Sequence, residues 1–214
     1  MFKTLLKVAV GVVLVPLLML GGAITYYFAG YNFRVVERGA FYGSRQMSGR
    51  ALERTIRSRG IRTVINLRGA NPDAPWYQEE LAVCRKHGVE HLDFAWSRNS
   101  IPSPESLAAY VDAVKNAPRP ILAHCEGGTH RTGVASAIWL LLEGKSPAVA
   151  RGQFGIMFRN APIGRVVDLY EQHGNGMPFD QWVRDIYPGL YQRRENLVSS
   201  PLRAPGSMVP TLAG

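Results

Sequence analysis

The chain has 214 residues, 46% of them hydrophobic, which is enough for one domain with a buried core and excludes a mainly disordered protein. Its two cysteines, Cys84 and Cys125, are too few for a disulfide framework. The net charge of +9 is unevenly placed, since nine arginines and two glutamates lie between Arg34 and Arg68. Such a block suits anionic lipid, nucleic acid or phosphorylated substrates, or is simply a solvated basic face.

The first element in chain order is an uncharged run from Val8 to Phe33, long enough for a helix that crosses a bilayer. Its aromatic end suits a membrane interface. Lys3 and Lys7 also fit a signal peptide, but the apolar run is too long for one and no convincing cleavage site follows. We therefore predict a single-pass membrane anchor at residues 1–32, in a bacterial inner membrane. Basic residues flank both ends, so the side of the membrane that holds the domain stays open.

Strand and helix patterns alternate after this run. A hairpin is predicted around Arg38, a helix begins after Ser48 and ends at Gly60, and "IRTVINLRG" and "VEHLDFAWS" are strands separated by a helix. Ser103 is the predicted cap of another helix, which is followed by the apolar strand "ILAHC" and further helices. This alternation predicts an α/β domain at residues 33–188, with a central, mostly parallel sheet flanked by helices. Residues 189–214 are rich in Pro, Ser, Arg and Gly and are predicted to form a disordered tail.

The most informative stretch is "ILAHCEGGTHRTG", in which a buried strand, a loop and a helix start follow one another. A loop in this position aims backbone N–H groups at one point and suits an anion of the size of phosphate. Gly127, Gly128 and Gly133 are expected to allow positive φ angles and close approach. Arg131 adds a planar fork of donors, and together with the amide dipoles it favours the thiolate form of Cys125.

"HCEGGTHRTG" resembles the His-Cys-x5-Arg-Ser/Thr signature of the cysteine-dependent protein tyrosine and dual-specificity phosphatases. "VINLRG" and "PSPESL" also resemble the compact bacterial branch of this superfamily. The resemblance extends over about residues 33–187. It implies the cysteine-phosphatase fold and a phosphomonoester hydrolase that forms a phosphocysteine intermediate.

Carried over residue by residue, the resemblance implies that Cys125 is the nucleophile and that Arg131 holds the phosphoryl oxygens. The loop amides would bind the same oxygens, and they belong to Glu126, Gly127, Gly128, Thr129, His130 and Arg131. Thr132 resembles the hydroxyl that assists hydrolysis of the intermediate, and His124 resembles the residue that orders the loop. The resemblance implies no metal and no other cofactor.

The sequence offers more than one candidate for the general acid. The superfamily's aspartate lies about thirty residues before the cysteine, and Asp93 lies 32 positions before Cys125. We therefore predict Asp93 as the acid, although its place in a strand pattern could bury it and the loop after it, "SRNSIP", has no carboxylate. Glu105, assistance from His130 and a site without a dedicated acid are the alternatives.

The expected partner is a phosphorylated protein or a phospholipid head group at a membrane, and no nucleic-acid partner is expected. The two loop lysines that mark phosphoinositide-specific members of the resembling family are missing here, which favours a phosphoprotein, whereas the basic block after the apolar run favours an anionic lipid. An inactive phosphoryl-binding module and a sulfur-transfer loop are alternative classes. Cys84, at the end of an amphipathic helix, is expected in the core or as a disulfide partner that protects oxidised Cys125.

Overall fold

The computed structural model of the protein describes residues 2–155, 158 and 161–199. Strands β1 to β5 are Arg34–Glu37, Phe41–Arg45, Thr63–Asn66, Glu90–Asp93 and Ile121–Cys125. Helices α1 to α9 are Phe2–Phe28, Gly49–Arg59, Pro75–His87, Pro104–Asn116, His130–Leu142, Pro147–Ala150, Arg165–His173, Phe179–Asp185 and Tyr187–Ser199. Short 3-10 turns at Arg151–Gln153 and Pro162–Gly164 connect α6 to α7.

The five strands form one sheet in the order β1-β2-β5-β3-β4. β1 and β2 form the predicted antiparallel hairpin, and the other three pairings are parallel. The prediction of a mostly parallel sheet flanked by helices is confirmed. The carboxyl ends of the parallel strands therefore lie at one edge of the sheet. At this edge, Arg45 on β2 is the register partner of Cys125 on β5, and Asn66 on β3 is the register partner of His124.

The helix ends follow the local chemistry of the sequence. The Ser103 hydroxyl accepts a hydrogen bond from the Ser106 amide at 3.2 Å and begins α4 as predicted. Gly60 and Gly88 end α2 and α3 in the left-handed conformation that glycine adopts without steric cost. The chain then enters β3 after α2 and β4 after α3.

The core lies on both faces of the sheet, because successive side chains of β5 point to opposite faces. Ala123 and Cys125 belong to a large cluster with α4, α5, α7 and α8. Leu122 belongs to a second cluster with α2 and α3, and Cys84 is in this second cluster. Both cysteines are free thiols. Cys84 is therefore core packing on the opposite face from Cys125, which corrects the suggested disulfide between them.

Helix α1 contacts the domain through its last turn. The Tyr26 hydroxyl donates to the Phe33 carbonyl at 2.7 Å, and the Tyr27 and Phe28 rings lie beside Arg45. Among the residues whose side chains the structure describes, there is no helix with the length and apolar character needed to cross a membrane. The predicted N-terminal transmembrane anchor is therefore not supported.

The predicted disordered tail begins too early. Residues 187–199 form helix α9, and Leu190 and Tyr191 are partly buried against the large core cluster. Pro188 lies in the first turn of this helix, where proline costs no internal hydrogen bond. The rest of the predicted tail, residues 200–214, lies outside the described residues.

Candidate active site

A cleft of about 850 Å³ lies at the carboxyl end of β5. Cys125 and Arg131 both line it, with Glu126, Gly127, Thr129 and His130 from the loop between them. The other walls come from three separate segments and contain Tyr27, Phe28, Arg45, Trp96, Ser97 and Arg98. The structure thus brings together the loop residues that the sequence predicted, and it adds aromatic and basic residues that the motif did not reveal.

The loop turns its carbonyl groups away from the cleft. The Glu126 carbonyl accepts from the Gln46 amide at 3.3 Å, the Gly127 carbonyl accepts from the Asn32 side-chain amide at 3.1 Å, and the Arg34 guanidinium donates to the Gly128 carbonyl. Within the described part of the chain, the backbone N–H groups of residues 126–129 have no hydrogen-bond acceptor. Unpaired amides in a glycine-bearing loop before a helix form a site for an anion.

Gly128 is the glycine that this loop requires. Its φ is +67°, and a Cβ atom there would lie 2.5 Å from the Arg45 amide nitrogen, so any side chain would displace backbone. The predicted positive φ is confirmed at Gly128. Gly127 and Gly133 do not have it. At Gly133 a Cβ atom would approach Phe158 at 3.3 Å, so this glycine serves close packing instead.

Cys125 and Arg131 are held in fixed positions beside the unpaired amides. Cys125 is 3% exposed at the end of β5. The Arg131 guanidinium donates to the carbonyls of Leu67 and Trp96 at 3.3 and 3.4 Å, which orients its planar fork within the cleft. Burial lowers the pKa of Arg34, and Coulombic interactions with Tyr26 and Cys125 oppose this shift. A second guanidinium thus acts electrostatically on the cysteine from outside the loop.

His124 is bonded to a buried carboxylate, and its predicted part in ordering the loop stays a prediction. His124 is 2% exposed, and its Nε2 lies 3.1 Å from Oε1 of Glu80, which is 3% exposed. His91 Nε2 lies 2.8 Å from the same oxygen, and the Gln46 side-chain amide donates to Oε2 at 2.7 Å. Burial by itself would raise the pKa of Glu80, but the charge and hydrogen bonds of these partners lower it well below its ordinary value.

Cys84 lacks the environment of a reactive thiol. Burial raises its pKa to about 12, and the nearby Glu80 carboxylate adds to the shift. Reactive cysteines instead have electropositive surroundings that lower the pKa. This contrast agrees with the structural role assigned to Cys84 by its packing.

Thr132 lies behind the loop. It is fully buried, does not line the cleft, and its hydroxyl donates to the Ser44 carbonyl at 3.2 Å. This bond joins the start of α5 to the end of β2. The hydroxyl therefore supports the loop in the structure, and its predicted part in hydrolysis of the intermediate stays a prediction.

Asp93 does not line the cleft. It ends β4, and β3 separates β4 from β5. Both oxygens of its carboxylate are engaged, because the Asn66 side-chain amide donates to Oδ1 at 2.7 Å and the Tyr77 hydroxyl donates to Oδ2 at 2.5 Å. The bond with Asp93 is the main reason that the pKa of Tyr77 is raised to about 12. The geometry gives no support to Asp93 as the proton donor.

The cleft contains few other groups that could donate a proton. Glu105 lies in the first turn of α4 and is absent from the cleft. The loop in which related sequences carry an aspartate contributes Arg98 to the wall. Of the lining residues, Glu126 and His130 are those with a carboxylate or an imidazole. Burial lowers the pKa of Arg68, and the charge of Glu126 opposes that shift.

In the described part of the chain, no group of three His, Cys, Asp or Glu side chains is placed to hold a metal ion.

Comparisons with known proteins agree with this geometry. The sequence model of a family described as "DSP-PTPase phosphatase fused to NAD+ Kinase" matches residues 34–161. The tyrosine-protein phosphatase cdc-14 of Caenorhabditis elegans is 29% identical over 88 residues, which are 41% of this chain and 11% of that protein. This chain thus spans about a tenth of the length of that relative.

Solved structures show the same fold. The structure of Tk-PTP in its active form has a TM-score of 0.51 and 23% identity, and the match covers 64% of this chain and 95% of that chain. PTPMT1 has a TM-score of 0.50 and 14% identity, with 77% and 99% covered.

The fold and the loop define a protein of the dual-specificity and tyrosine phosphatase superfamily, as the signature predicted. Since the matched region is more than half of the chain, the protein belongs to the family of DSP-PTPase phosphatases described as fused to NAD+ kinase.

Proposed function

We propose that the protein is a phosphomonoester phosphatase in which Cys125 is the nucleophile. The observation that carries the proposal is the set of four unpaired loop amides beside Cys125 and the oriented Arg131 guanidinium. Donors fixed before the reaction stabilise the charge of a transferring phosphoryl group without reorganisation. Family membership supports the same reaction class.

The reaction would proceed in two steps. The Cys125 thiolate attacks phosphorus, an S–P bond forms, and the P–O bond to the leaving group breaks as that oxygen takes a proton. Water then attacks phosphorus and gives a proton to the group that protonated the leaving oxygen, the S–P bond breaks, and inorganic phosphate leaves with regeneration of the thiolate. In both steps the loop amides and Arg131 hold the three equatorial oxygens.

His130 is the proposed proton donor for the first step. Both His130 and Glu126 line the cleft with Cys125, whereas Asp93 and Glu105 do not. Histidine exchanges protons readily between pH 5 and 8, so it can donate to a leaving oxygen at neutral pH. Aryl esters need this donor least, because their leaving groups are stable without a proton.

A phosphoprotein is the proposed substrate, with phosphotyrosine favoured because the lining of the cleft contains the aromatic residues Tyr27, Phe28 and Trp96. The lack of lysine in the loop also favours this class. A phosphoinositide head group is the second candidate, and the arginines of the cleft support it. Initial rates on a phosphotyrosine peptide and on a soluble phosphoinositide would separate the two classes.

The decisive experiment is hydrolysis of p-nitrophenyl phosphate by wild type, Cys125→Ser and Cys84→Ser. Loss of the nucleophile is expected to lower kcat by a factor on the order of 10³ or more. Cys84→Ser makes the same exchange on the opposite face of the sheet and should keep wild-type kcat, with its folding checked by thermal unfolding. Turnover that survives in Cys125→Ser would overturn the proposed mechanism. Phosphate binding without turnover by wild type would indicate the inactive module.

A further inference from the structure

Arg45 lies beside the phosphate loop but outside the sequence signature. It ends β2 as the register partner of Cys125. Its amide nitrogen is the atom nearest to the position that a Cβ atom at residue 128 would occupy. That amide donates to the Tyr31 carbonyl at 2.8 Å. Its side chain lines the same cleft as Cys125. The backbone of Arg45 is therefore anchored next to the loop, and its side chain lies in the wall of the cleft.

Two aromatic rings from the end of α1 hold the Arg45 guanidinium. Its central carbon lies 5.0 Å from the Tyr27 ring centroid and 5.1 Å from the Phe28 ring centroid. Contacts of this kind orient a guanidinium while its in-plane N–H donors remain free for an anion. Tyr27 and Phe28 also line the cleft, so they and Arg45 form a single wall.

The charge of Arg45 has no counter-ion among the described residues. Arg151 and Arg184 have carboxylate partners, but many exposed arginines of the described residues do not, so the burial of the Arg45 side chain is what distinguishes it. Arg45 is absent from the ion pairs, and its Nε is buried without an acceptor in the described part of the chain. A buried polar group without a partner is costly in a folded protein, so an anion bound at this position would stabilise the Arg45 side chain.

Arg98 gives the cleft a second cation from another loop. Its side chain is exposed at the wall formed with Trp96 and Ser97, and within the described residues it has no carboxylate partner. Arg131 already donates to two carbonyls and faces the phosphate loop. Arg45 and Arg98 thus place two cations in the walls of the cleft, outside the loop that is proposed to bind the phosphoryl group.

We infer that Arg45, held by Tyr27 and Phe28 and assisted by Arg98, binds a second anionic group of the substrate while the loop binds the scissile phosphate. This inference rests on the proposed phosphatase function. The substrate class is a phosphomonoester that carries a further phosphate or carboxylate close to the ester. A planar guanidinium recognises both groups through paired, charge-assisted hydrogen bonds.

The test compares two esters with leaving groups of similar basicity, phenyl phosphate and 3-carboxyphenyl phosphate, in wild type, Arg45→Gln and Arg57→Gln. Arg57 is an exposed arginine on α2 outside the cleft, so its variant removes the same charge without touching the wall. Wild type and Arg57→Gln should prefer the carboxylated ester in kcat/KM. In Arg45→Gln this preference should fall by about tenfold, as expected for the loss of a charge-assisted hydrogen bond.

Tyr27→Leu keeps Arg45 but removes one ring that holds it, so a smaller fall in the same ratio is expected. An unchanged ratio in a folded Arg45→Gln variant would overturn the inference. If wild type hydrolyses neither ester, the proposed function fails. The subsite is then judged by the affinity ratio of the two esters for wild type and Arg45→Gln, measured by calorimetry, and equal ratios would overturn it. 1,3-Phenylene bisphosphate, tested in parallel, distinguishes a preference for phosphate from one for carboxylate.

Discussion

The carboxyl ends of β5 and β4 lie at the same edge of the sheet, but the hydrogen bonds of their polar groups differ. After β5, three carbonyls are turned outward and held by Asn32, Arg34 and Gln46, so the amides of the loop remain free. At the end of β4, the donors Asn66 and Tyr77 occupy the carboxylate of Asp93. The first arrangement leaves polar groups available to a ligand, whereas the second satisfies them within the fold. Polar residues at the same edge of a sheet can thus serve either binding or stability.

The largest effect on the loop side is expected from Arg131→Lys. A lysine ammonium is a point charge that cannot bond the Leu67 and Trp96 carbonyls and two phosphoryl oxygens in one plane. We expect kcat/KM on p-nitrophenyl phosphate to fall by roughly 10²–10³, the range for removal of one fixed donor to the transition state. Arg57→Lys is the matched control. Wild-type activity in Arg131→Lys would mean that the amides alone bind the phosphoryl group.

The Glu80→Gln variant tests the link between the two segments, because Glu80 bonds both His124 on β5 and His91 on β4. Disruption of a buried ion pair costs about 3–5 kcal/mol. The free energy of unfolding, measured with urea at neutral pH, should therefore fall by up to that amount. Glu79→Gln, at the exposed neighbouring position of α3, is the control and should lie close to wild type.

The pH dependence of this difference follows from the lowered pKa of Glu80. A carboxyl whose pKa is lower in the folded state stabilises the fold above its unfolded pKa and loses that contribution as the pH falls through the folded value. The gap between wild type and Glu80→Gln should therefore be largest at neutral pH and shrink in acid. A constant gap would show that the charge of Glu80 is not the stabilising feature.

The His130→Asn variant sharpens the comparison by testing whether the loop side also supplies the proton. If His130 is the donor, kcat/KM on an alkyl phosphate should fall by about 10²-fold and lose the basic limb of its pH profile. The loss on p-nitrophenyl phosphate should be smaller, because that leaving group needs less help. His173→Asn, on α7, is the control. An unchanged profile on both esters would exclude His130.

The smallest catalytic effect is expected from Asp93→Asn. The pH profile of kcat/KM should keep its shape, because the Asp93 carboxylate bonds Asn66 and Tyr77 and does not line the cleft. The change should instead appear at Tyr77, whose pKa of about 12 depends chiefly on the bond with Asp93. Ultraviolet titration should show that pKa falling toward the ordinary tyrosine value. A lost basic limb would restore Asp93 as the general acid.

Much of the fold could be predicted because its signals are local. Ser103 begins α4, Gly60 ends α2, and the alternation of apolar runs predicts parallel strands. The end of the chain was predicted less well, because Leu190 and Tyr191 form a helix by packing on a core that the Pro and Ser content does not reveal. Burial of distant side chains outweighs local composition there.

The sequence by itself determined the candidate nucleophile and the candidate anion-binding loop, because Cys125, Gly128 and Arg131 belong to one continuous stretch of backbone. Only the tertiary structure decided the remainder of the cleft. The spacing between Asp93 and Cys125 fitted a general acid, yet strand order places β3 between them and gives the carboxylate other partners. Tyr27, Arg45 and Arg98 come from three distant segments and meet at the loop. Local backbone chemistry can be read along the chain, whereas the side chains that surround it are chosen by packing in three dimensions.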